Sequence, residues 1–358
     1  MNILRIILLP FSFLYGFIVL LRNKFFDWGI ISSKPFPFPV ISVGNLSVGG
    51  TGKSPHVEYL IRLLQNDFII ATLSRGYKRK TKGFLMAGDK PDVKQLGDEP
   101  CQFAHKFPEI KVAVDEKRVN GINNLSAKFP DLDVIILDDA FQHRHVKPGL
   151  SILLTDFHKL YSDDYPLPSG TLREFRSGAH RADIVIVTKS SNVLSPITKR
   201  NVEESLKLGT DQKIYFSYIN HGKLTALPGL DFMPSGSRYS TILLVTGIAN
   251  SYPLEVHLMK YCDNLEKISF PDHHQYTLKD IDRIVETFDD LFSQNKIIVT
   301  TEKDAMRLMD PHLSGKLKNL PLCFVPIEII IHKEGRKELN DQIINYVKKN
   351  RRNSKIRK

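Results

Sequence analysis

The fold is decided by the stretch Pro39-Val-Ile-Ser-Val-Gly-Asn-Leu-Ser-Val-Gly49-Gly-Thr-Gly-Lys53-Ser54. Its apolar start predicts a strand over residues 39–43. Pro55 then stands in the first turn of a helix that we expect to reach about Leu64, a position that tolerates proline. The glycines between strand and helix let backbone N–H groups turn toward a polyphosphate, which the helix N-terminus also attracts.

This loop predicts a nucleotide site whose binding residues are Gly49, Gly50, Thr51, Gly52, Lys53 and Ser54. Lys53 would reach the β- and γ-phosphates, and the Ser54 hydroxyl would ligate Mg²⁺. The loop departs from the usual G-x-x-x-x-G-K-[ST] pattern because Ser47 stands where the first glycine is expected. A glycine-rich turn that binds no nucleotide is the alternative interpretation.

Further apolar strands, separated by helical stretches, predict an α/β fold with a parallel sheet. The first set lies at residues 68–73, 111–114, 134–137, 151–154 and 184–187, and a second set lies at 241–245, 296–300 and 322–325. We therefore expect a P-loop domain over residues 31–225 and a smaller α/β domain over 226–347. An N-terminal membrane-associated helix (1–30) and a basic tail (348–358) would flank them.

The predicted strand before Asp138 and Asp139 ends in these two carboxylates. An acid at this place can hold the Mg²⁺ that bridges nucleotide phosphates. Successive strand residues point to opposite sides, so the two acids are expected to have different roles, with Asp138 on the metal side. Alternatively, one or both cap the following turn. Gln142 and His143 could line the same cleft.

Three other polar clusters carry possible chemistry. Asp98 and Glu99 lie in a glycine–proline turn, where a carboxylate can accept the proton of an alcohol during phosphoryl transfer. A histidine of the turn 272–274 could pair with an acid, and Arg173 could stabilise developing charge. An ordinary loop, surface histidines and a surface ion pair are the respective alternatives.

An apolar run from Ile6 to Leu21 lies between basic residues. As a helix it would rise about 24 Å, short of the roughly 30 Å hydrocarbon core of a bilayer. No small-x-small cleavage pattern follows it, which argues against a signal peptide. We expect a helix that dips into one leaflet or only just spans, and a buried core helix is the alternative.

Composition excludes several classes of protein. The chain has 358 residues, 42% of them hydrophobic and 25% charged, as in globular proteins rather than disordered or fibrous ones. Its three cysteines are far apart, so neither a disulfide framework nor a zinc site is indicated. The net charge is +11, but residues 348–358 hold seven of the basic groups. Such a tail is usually disordered and solvated, and no nucleic-acid partner is expected.

Together the motifs resemble the tetraacyldisaccharide 4'-kinase family, the lipid A 4'-kinases of Gram-negative bacteria. The matching motifs follow the family's order from about residue 40 to 305. They are Val43-Gly-Asn45, Gly49-Gly-Thr-Gly-Lys-Ser54, Ser74-Arg-Gly-Tyr77, Gly97-Asp-Glu-Pro100, Asp138-Asp-Ala-Phe-Gln-His143, Gly170-Thr-Leu-Arg-Glu174, Phe270-Pro-Asp-His273 and Thr301-Glu-Lys-Asp304.

The resemblance implies roles for the clusters. Asp98 would be the catalytic base with His273 as its partner, although His274 leaves the identity of the imidazole open. Lys53 and Arg173 would act on phosphate and on transition-state charge. Ser54, Glu99, Asp138 and Asp139 would organise the metal and the cleft.

The resemblance also implies a reaction, transfer of the γ-phosphate of ATP, with Mg²⁺, to the 4'-hydroxyl of a lipid disaccharide 1-phosphate. The enzyme would work as a monomer at the cytoplasmic face of the bacterial inner membrane. A membrane-associated P-loop switch ATPase is the alternative function. Val48 argues against it, because such switches carry a lysine before the paired glycines.

Overall fold

The structure, a computed structural model, describes residues 3–89, 91–227, 232–234, 238–272 and 274–356. The chain forms two compact units. The first runs from the N-terminal helix to Ile219 and resumes at Ile329, and the second comprises Asn220–Glu328.

The described residues form helices and strands in alternation along most of the chain. The helices are α1 (Ile3–Asp27), α2 (Lys53–Leu64), α3 (Val93–Leu96), α4 (Asp98–Lys106), α5 (Arg118–Lys128), α6 (Pro196–Leu206), α7 (Tyr252–Leu258), α8 (Leu278–Asp289), α9 (Glu302–Leu308), α10 (Pro311–Leu317) and α11 (Lys333–Ile356). The strands are β1 (Val40–Asn45), β2 (Ile70–Ser74), β3 (Leu85–Met86), β4 (Lys111–Val114), β5 (Val134–Asp138), β6 (Leu150–Asp156), β7 (Ile184–Thr188), β8 (Lys213–His221), β9 (Thr225–Ala226), β10 (Tyr239–Thr246), β11 (Cys262–Ser269), β12 (Lys296–Thr301), β13 (Leu322–Val325) and β14 (Ile327–Ile331).

The first unit is built on a sheet with the order β14-β8-β7-β6-β1-β5-β2-β4-β3. From β8 to β4 each neighbouring pair is parallel, and β3 joins the edge antiparallel to β4. Strands β1, β2, β5 and β7 are buried along their whole length, as expected for a sheet covered on both faces. The predicted α/β fold is confirmed.

The central position of β1 fixes where the polar motifs meet. β1 lies between β5 and β6, and its register places Val43 beside Asp138. Both strands run in the same direction, so the phosphate loop after β1 and the acids at the end of β5 emerge at one sheet edge. Ligands bind at this edge in open parallel sheets.

The C-terminal segment belongs to the first unit, which differs from the expected boundaries at 226 and 347. β14 lies beside β8, and α11 buries Leu339, Ile343 and Val347 in the core that also contains α2 residues. These apolar residues recur every four positions, which holds a helix on the sheet. The helix continues through the basic residues to Ile356, where a disordered tail was expected.

The second unit has its own sheet, with the order β11-β10-β12-β13-β9. β10 to β13 pair in parallel, and β9 is antiparallel to β13. Helix α8 begins with a capping box in which Thr277 and Asp280 satisfy each other's backbone N–H groups. This unit is the predicted smaller α/β domain, beginning at residue 220 rather than 226.

The apolar N-terminal run is a helix, as predicted. Within it, Arg5–Asp27 is long and apolar enough to cross a membrane, with a mean hydropathy of 1.8. One side of α1 is largely exposed and carries Ile6, Ile7, Phe11, Phe13, Leu14, Phe17 and Ile18, whereas Ser12 and Asn23 are buried on the other side.

Candidate active site

The phosphate loop is held at both ends and is open in the middle. At its start, the Val48 N–H donates to the Thr171 carbonyl at 2.7 Å. At its end, Gly52 caps α2 in the left-handed conformation, with φ of 83°, which favours glycine. Gly49 also has a positive φ of 114°, and a Cβ at Gly49 or Gly50 would meet only open space.

Lys53, the first residue of α2, extends its ammonium group toward the ends of β1 and β5. Its Nζ lies 3.4 Å from Asn45 Oδ1 and 3.7 Å from Asp139 Oδ1. Ser54 follows in the first turn and is half-buried, and Thr51 in the loop is buried. The loop therefore places a cation and two hydroxyl side chains in one short segment.

Arg173 reaches the same place because its segment pairs with the phosphate loop. Ser47 and Leu172 form an antiparallel bridge, and the Arg173 N–H donates to the Leu46 carbonyl at 2.7 Å. The Arg173 guanidinium donates from Nη1 to Asp139 Oδ1 at 3.0 Å and to Gln142 Oε1 at 3.3 Å. Two cations, Lys53 and Arg173, thus share the Asp139 carboxylate.

Asp139 and Asp138 face different surroundings, as the sequence predicts for successive residues. Asp139 adopts a positive φ of 47°, so the chain turns sharply where β5 ends. Although burial alone would raise it, Lys53 and Arg173 hold the pKa of Asp139 below its usual range. Asp139 is therefore an ionised carboxylate that binds both Lys53 and Arg173 beside the phosphate loop.

Asp138 is buried beneath this ion-paired group. Ser74 Oγ donates to its Oδ2 at 3.3 Å, whereas its Oδ1 has no hydrogen-bond partner within the described residues. Burial and the negative charges of Glu99 and Asp139 raise the pKa of Asp138 well above its usual range. A carboxylate in this state favours a cation, because a cation would offset both the desolvation and the repulsion.

These oxygens fit Mg²⁺. Mg²⁺ binds oxygen ligands, usually through one or two carboxylates, several waters and substrate phosphates, rather than in an all-protein cage. No group of three or more acidic, histidine or cysteine side chains arranged for a metal occurs in the part of the chain that the structure describes. Asp138 Oδ1, which accepts no hydrogen bond from the described residues, and the Ser54 hydroxyl in the first turn of α2 are oxygen ligands of the required kind.

Asp98 and Glu99 open helix α4, directly after Gly97. Gly97 has φ of 92°, and a Cβ there would lie 2.9 Å from the Tyr77 carbonyl, so only glycine allows this close approach. The turn thus packs against the Arg75–Tyr77 loop that follows β2. Because β2 is parallel to β5, with Leu73 beside Leu137, the loop after β2 and the turn packed against it lie at the same end of the sheet as Asp138.

His273 lies outside the described residues. Its neighbour His274 belongs to the second unit and has partners within that unit. His274 Nε2 lies 3.0 Å from Asp280 Oδ2, and its ring stacks on Phe270 with 4.6 Å between ring centres. His274 therefore holds its own turn against the start of α8.

Two contributors to the site escaped the sequence-based analysis of individual residues: Asn45, which contacts Lys53, and His56, which lies under the loop. Gln142, which was expected to line the cleft, donates from Nε2 to the Asn45 carbonyl at 2.8 Å. Burial lowers the pKa of His56 to about 4. Its spacing gave a usable signal, because residue 56 follows Gly52 by four positions and so lies one helical turn beneath it.

Helix α1 supports the segment that carries Arg173. Tyr15 Oη donates to the Arg173 carbonyl at 2.9 Å, and Asn23 Nδ2 donates to Glu174 Oε2 at 2.8 Å. Ser12 Oγ accepts a hydrogen bond from the Ser169 N–H at 2.8 Å. The buried side of α1 is therefore part of the wall behind Arg173.

Comparison with known proteins agrees with this arrangement. The family model described as LpxK, tetraacyldisaccharide-1-P 4'-kinase, matches residues 4–347. The chain is 48% identical to the tetraacyldisaccharide 4'-kinase of Bacteroides thetaiotaomicron, covering 97% of this chain and 94% of that protein. It is 46% identical to the tetraacyldisaccharide 4'-kinase of Flavobacterium johnsoniae, covering 98% and 99% respectively.

A solved structure shares the fold. The crystal structure of LpxK from Aquifex aeolicus in complex with ATP superposes with a TM-score of 0.72 at 30% identity, covering 96% of this chain and 99% of that one. The family resemblance expected from the ordered motifs is confirmed. This chain belongs to the tetraacyldisaccharide-1-P 4'-kinase family.

Proposed function

We propose that the described site of the first unit carries out the family's reaction, in which the γ-phosphate of ATP passes to the 4'-hydroxyl of tetraacyldisaccharide 1-phosphate, a step of lipid A biosynthesis. The observation that carries this proposal is the meeting of Lys53, Arg173 and Asp139 at the mouth of the phosphate loop, above the buried Asp138. Cations positioned beside a phosphate loop suit charge that spreads over a transferring phosphoryl group.

The proposed step has a simple balance. A bond forms between the 4'-hydroxyl oxygen and the γ-phosphorus while the bond from that phosphorus to the bridging oxygen of ADP breaks. The hydroxyl proton passes to Asp98, the base that the family resemblance implies, with His273 as its partner. Lys53 and Arg173 turn from Asp139 toward phosphate oxygens, and Asp139 keeps both side chains within reach.

Asp138 and Ser54 would hold Mg²⁺, with Glu99 and Asp139 as the nearby acids. When bound, the metal neutralises phosphate charge. The unsatisfied Asp138 oxygen and its raised pKa support this assignment.

The location of the enzyme follows from the chemistry of its proposed substrate. A lipid acceptor with a phosphorylated disaccharide head requires a kinase at a membrane surface. We propose that the exposed apolar side of α1 enters the cytoplasmic leaflet of the inner membrane, and that the enzyme acts as a monomer. The other side of α1 contacts the segment that carries Arg173 through Ser12, Tyr15 and Asn23, so lipid cannot surround the helix. This favours a helix that lies in the interface.

A labelled-phosphate assay tests the reaction. We expect label from [γ-³²P]ATP and Mg²⁺ to enter purified lipid A disaccharide 1-phosphate in detergent micelles, and removal of Mg²⁺ with EDTA to abolish the transfer. Restoring Mg²⁺ should restore it. ATP hydrolysis without labelled lipid would contradict the proposal and favour a switch ATPase.

The membrane role of α1 has its own prediction. Leu14 and Ile18 are 61% and 60% exposed on one side of the helix, so Leu14→Glu with Ile18→Glu should reduce binding to phospholipid vesicles about tenfold or more. Val193→Glu with Ile197→Glu is a matched control, because these residues are also exposed, apolar and four positions apart. Equal vesicle sedimentation of both double variants would contradict insertion of α1.

A further inference from the structure

The carbonyl that ends the phosphate loop is held by a buried imidazole. His56, on α2, is 2% exposed, and its Nδ1 lies 2.7 Å from the Gly52 carbonyl oxygen. Its Nε2 lies 3.0 Å from Ser217 Oγ on β8, which is fully buried. Ser217 is 161 residues from His56, so this contact joins the loop to a distant strand of the same unit.

The direction of each hydrogen bond follows from the partners. The Gly52 carbonyl oxygen can only accept, so His56 Nδ1 carries the proton and donates it. Nε2 of the neutral ring then accepts, and the Ser217 hydroxyl donates. Ser217 is fixed in turn, because Ser190 donates to its carbonyl oxygen from both N and Oγ at 3.0 Å.

The contact of His56 with the Gly52 carbonyl affects the orientation of the Gly52–Lys53 peptide, which lies in the proposed phosphate loop. In a trans peptide the C=O and the following N–H point in opposite directions, so a Gly52 carbonyl held inward turns the Lys53 N–H outward. The backbone N–H of His56 also donates to this carbonyl, but at 3.2 Å, so the imidazole makes the shorter bond. Gly49 and Gly50 have open space where a side chain would be, so packing does little to fix the loop.

We propose that His56 is a positioning residue, whose Nδ1–H holds the Gly52–Lys53 peptide so that the Lys53 N–H faces the nucleotide phosphates, and that Ser217 holds the His56 ring in the required orientation. This inference rests on the proposed role of residues 49–54 as the ATP phosphate loop. It adds a residue beneath the loop that touches no phosphate.

Three substitutions at residue 56 separate positioning from simple packing. The side-chain nitrogen of asparagine occupies the place of Nδ1, whereas that of glutamine occupies the place of Nε2. We expect His56→Asn to keep KM for ATP within about threefold of wild type, and His56→Gln and His56→Leu to raise KM about tenfold with a smaller change in kcat. Ser217→Ala should raise KM by an intermediate amount, and calorimetric Kd values for ATP should follow the same order.

Val57→Ala is the matched control, because Val57 is the next residue of α2 and is completely buried but has an apolar side chain. It should lower Tm and leave KM for ATP unchanged. If KM instead rises with loss of Tm in every variant, Val57→Ala and His56→Asn included, His56 is only a packing residue. Wild-type KM in His56→Leu together with an inactive Lys53→Ala would overturn the role of His56 alone. Full activity of Lys53→Ala would overturn the loop assignment and the role of His56 with it.

Discussion

Replacing Lys53 with alanine is expected to reduce kcat about 10²- to 10³-fold, because a positioned cation facing the transferring phosphoryl group is lost. The fold should persist. Asp139 keeps its 3.0 Å contact with Arg173, so the carboxylate is not left without a cation. Labelled-phosphate transfer at saturating ATP measures the effect, and circular dichroism checks the fold.

The control for this experiment is Lys82→Ala, because Lys82 is an exposed lysine of the same unit. It should leave kcat and KM unchanged. Near-normal turnover of Lys53→Ala would contradict the assignment of residues 49–54 to ATP phosphate binding.

Replacing Asp98 with asparagine is expected to lower kcat about 10²- to 10⁴-fold while KM for ATP changes little, because the amide cannot accept the hydroxyl proton. Asp98→Ala should behave alike. Asp89→Asn is a suitable control, since Asp89 is exposed and carries the same charge. Failure of ATP binding with normal turnover at saturation would show that Asp98 is not the base.

Double variants that include Asp98→Asn identify which histidine is the partner of Asp98. If His273 is the partner of Asp98, then His273→Ala and Asp98→Asn combined should cost much less than the sum of their separate effects. His274→Ala should be additive with Asp98→Asn, because His274 contacts Asp280 and Phe270 within its own unit. The reverse pattern would assign the role to His274.

The parts of the site that follow directly from local sequence were predictable. A glycine-rich loop between a buried strand and a proline-initiated helix indicated the phosphate loop, and Asp138 followed an apolar strand. In a parallel sheet both places fall at one edge, so the meeting of loop and acid needs only the strand direction. The register of Val43 beside Asp138 agrees with this reasoning.

Other parts depend on pairings that no local pattern encodes. Arg173 reaches Asp139 only because residues 171–173 pair with residues 46–48, and Ser217 reaches His56 across the sheet. Such contacts are determined by tertiary packing. The sequence could suggest that an arginine acts on phosphate, but not which carboxylate holds it.

The C-terminal segment shows how composition can mislead. Seven basic residues among the last eleven indicated a free tail, and the second strand set seemed to continue to residue 347. Three buried residues four positions apart, Leu339, Ile343 and Val347, pack α11 into the core of the first unit. Periodicity was the better guide than charge in this segment.

The two sides of α1 have a consequence for anyone who shortens this protein to make it easier to purify. Deleting the helix removes its exposed apolar side chains, and it also removes the Tyr15 hydroxyl that donates a hydrogen bond to the Arg173 carbonyl. A truncated enzyme that is inactive would therefore say nothing about whether the bilayer is needed for turnover. Changing only outward-facing residues keeps the two questions apart.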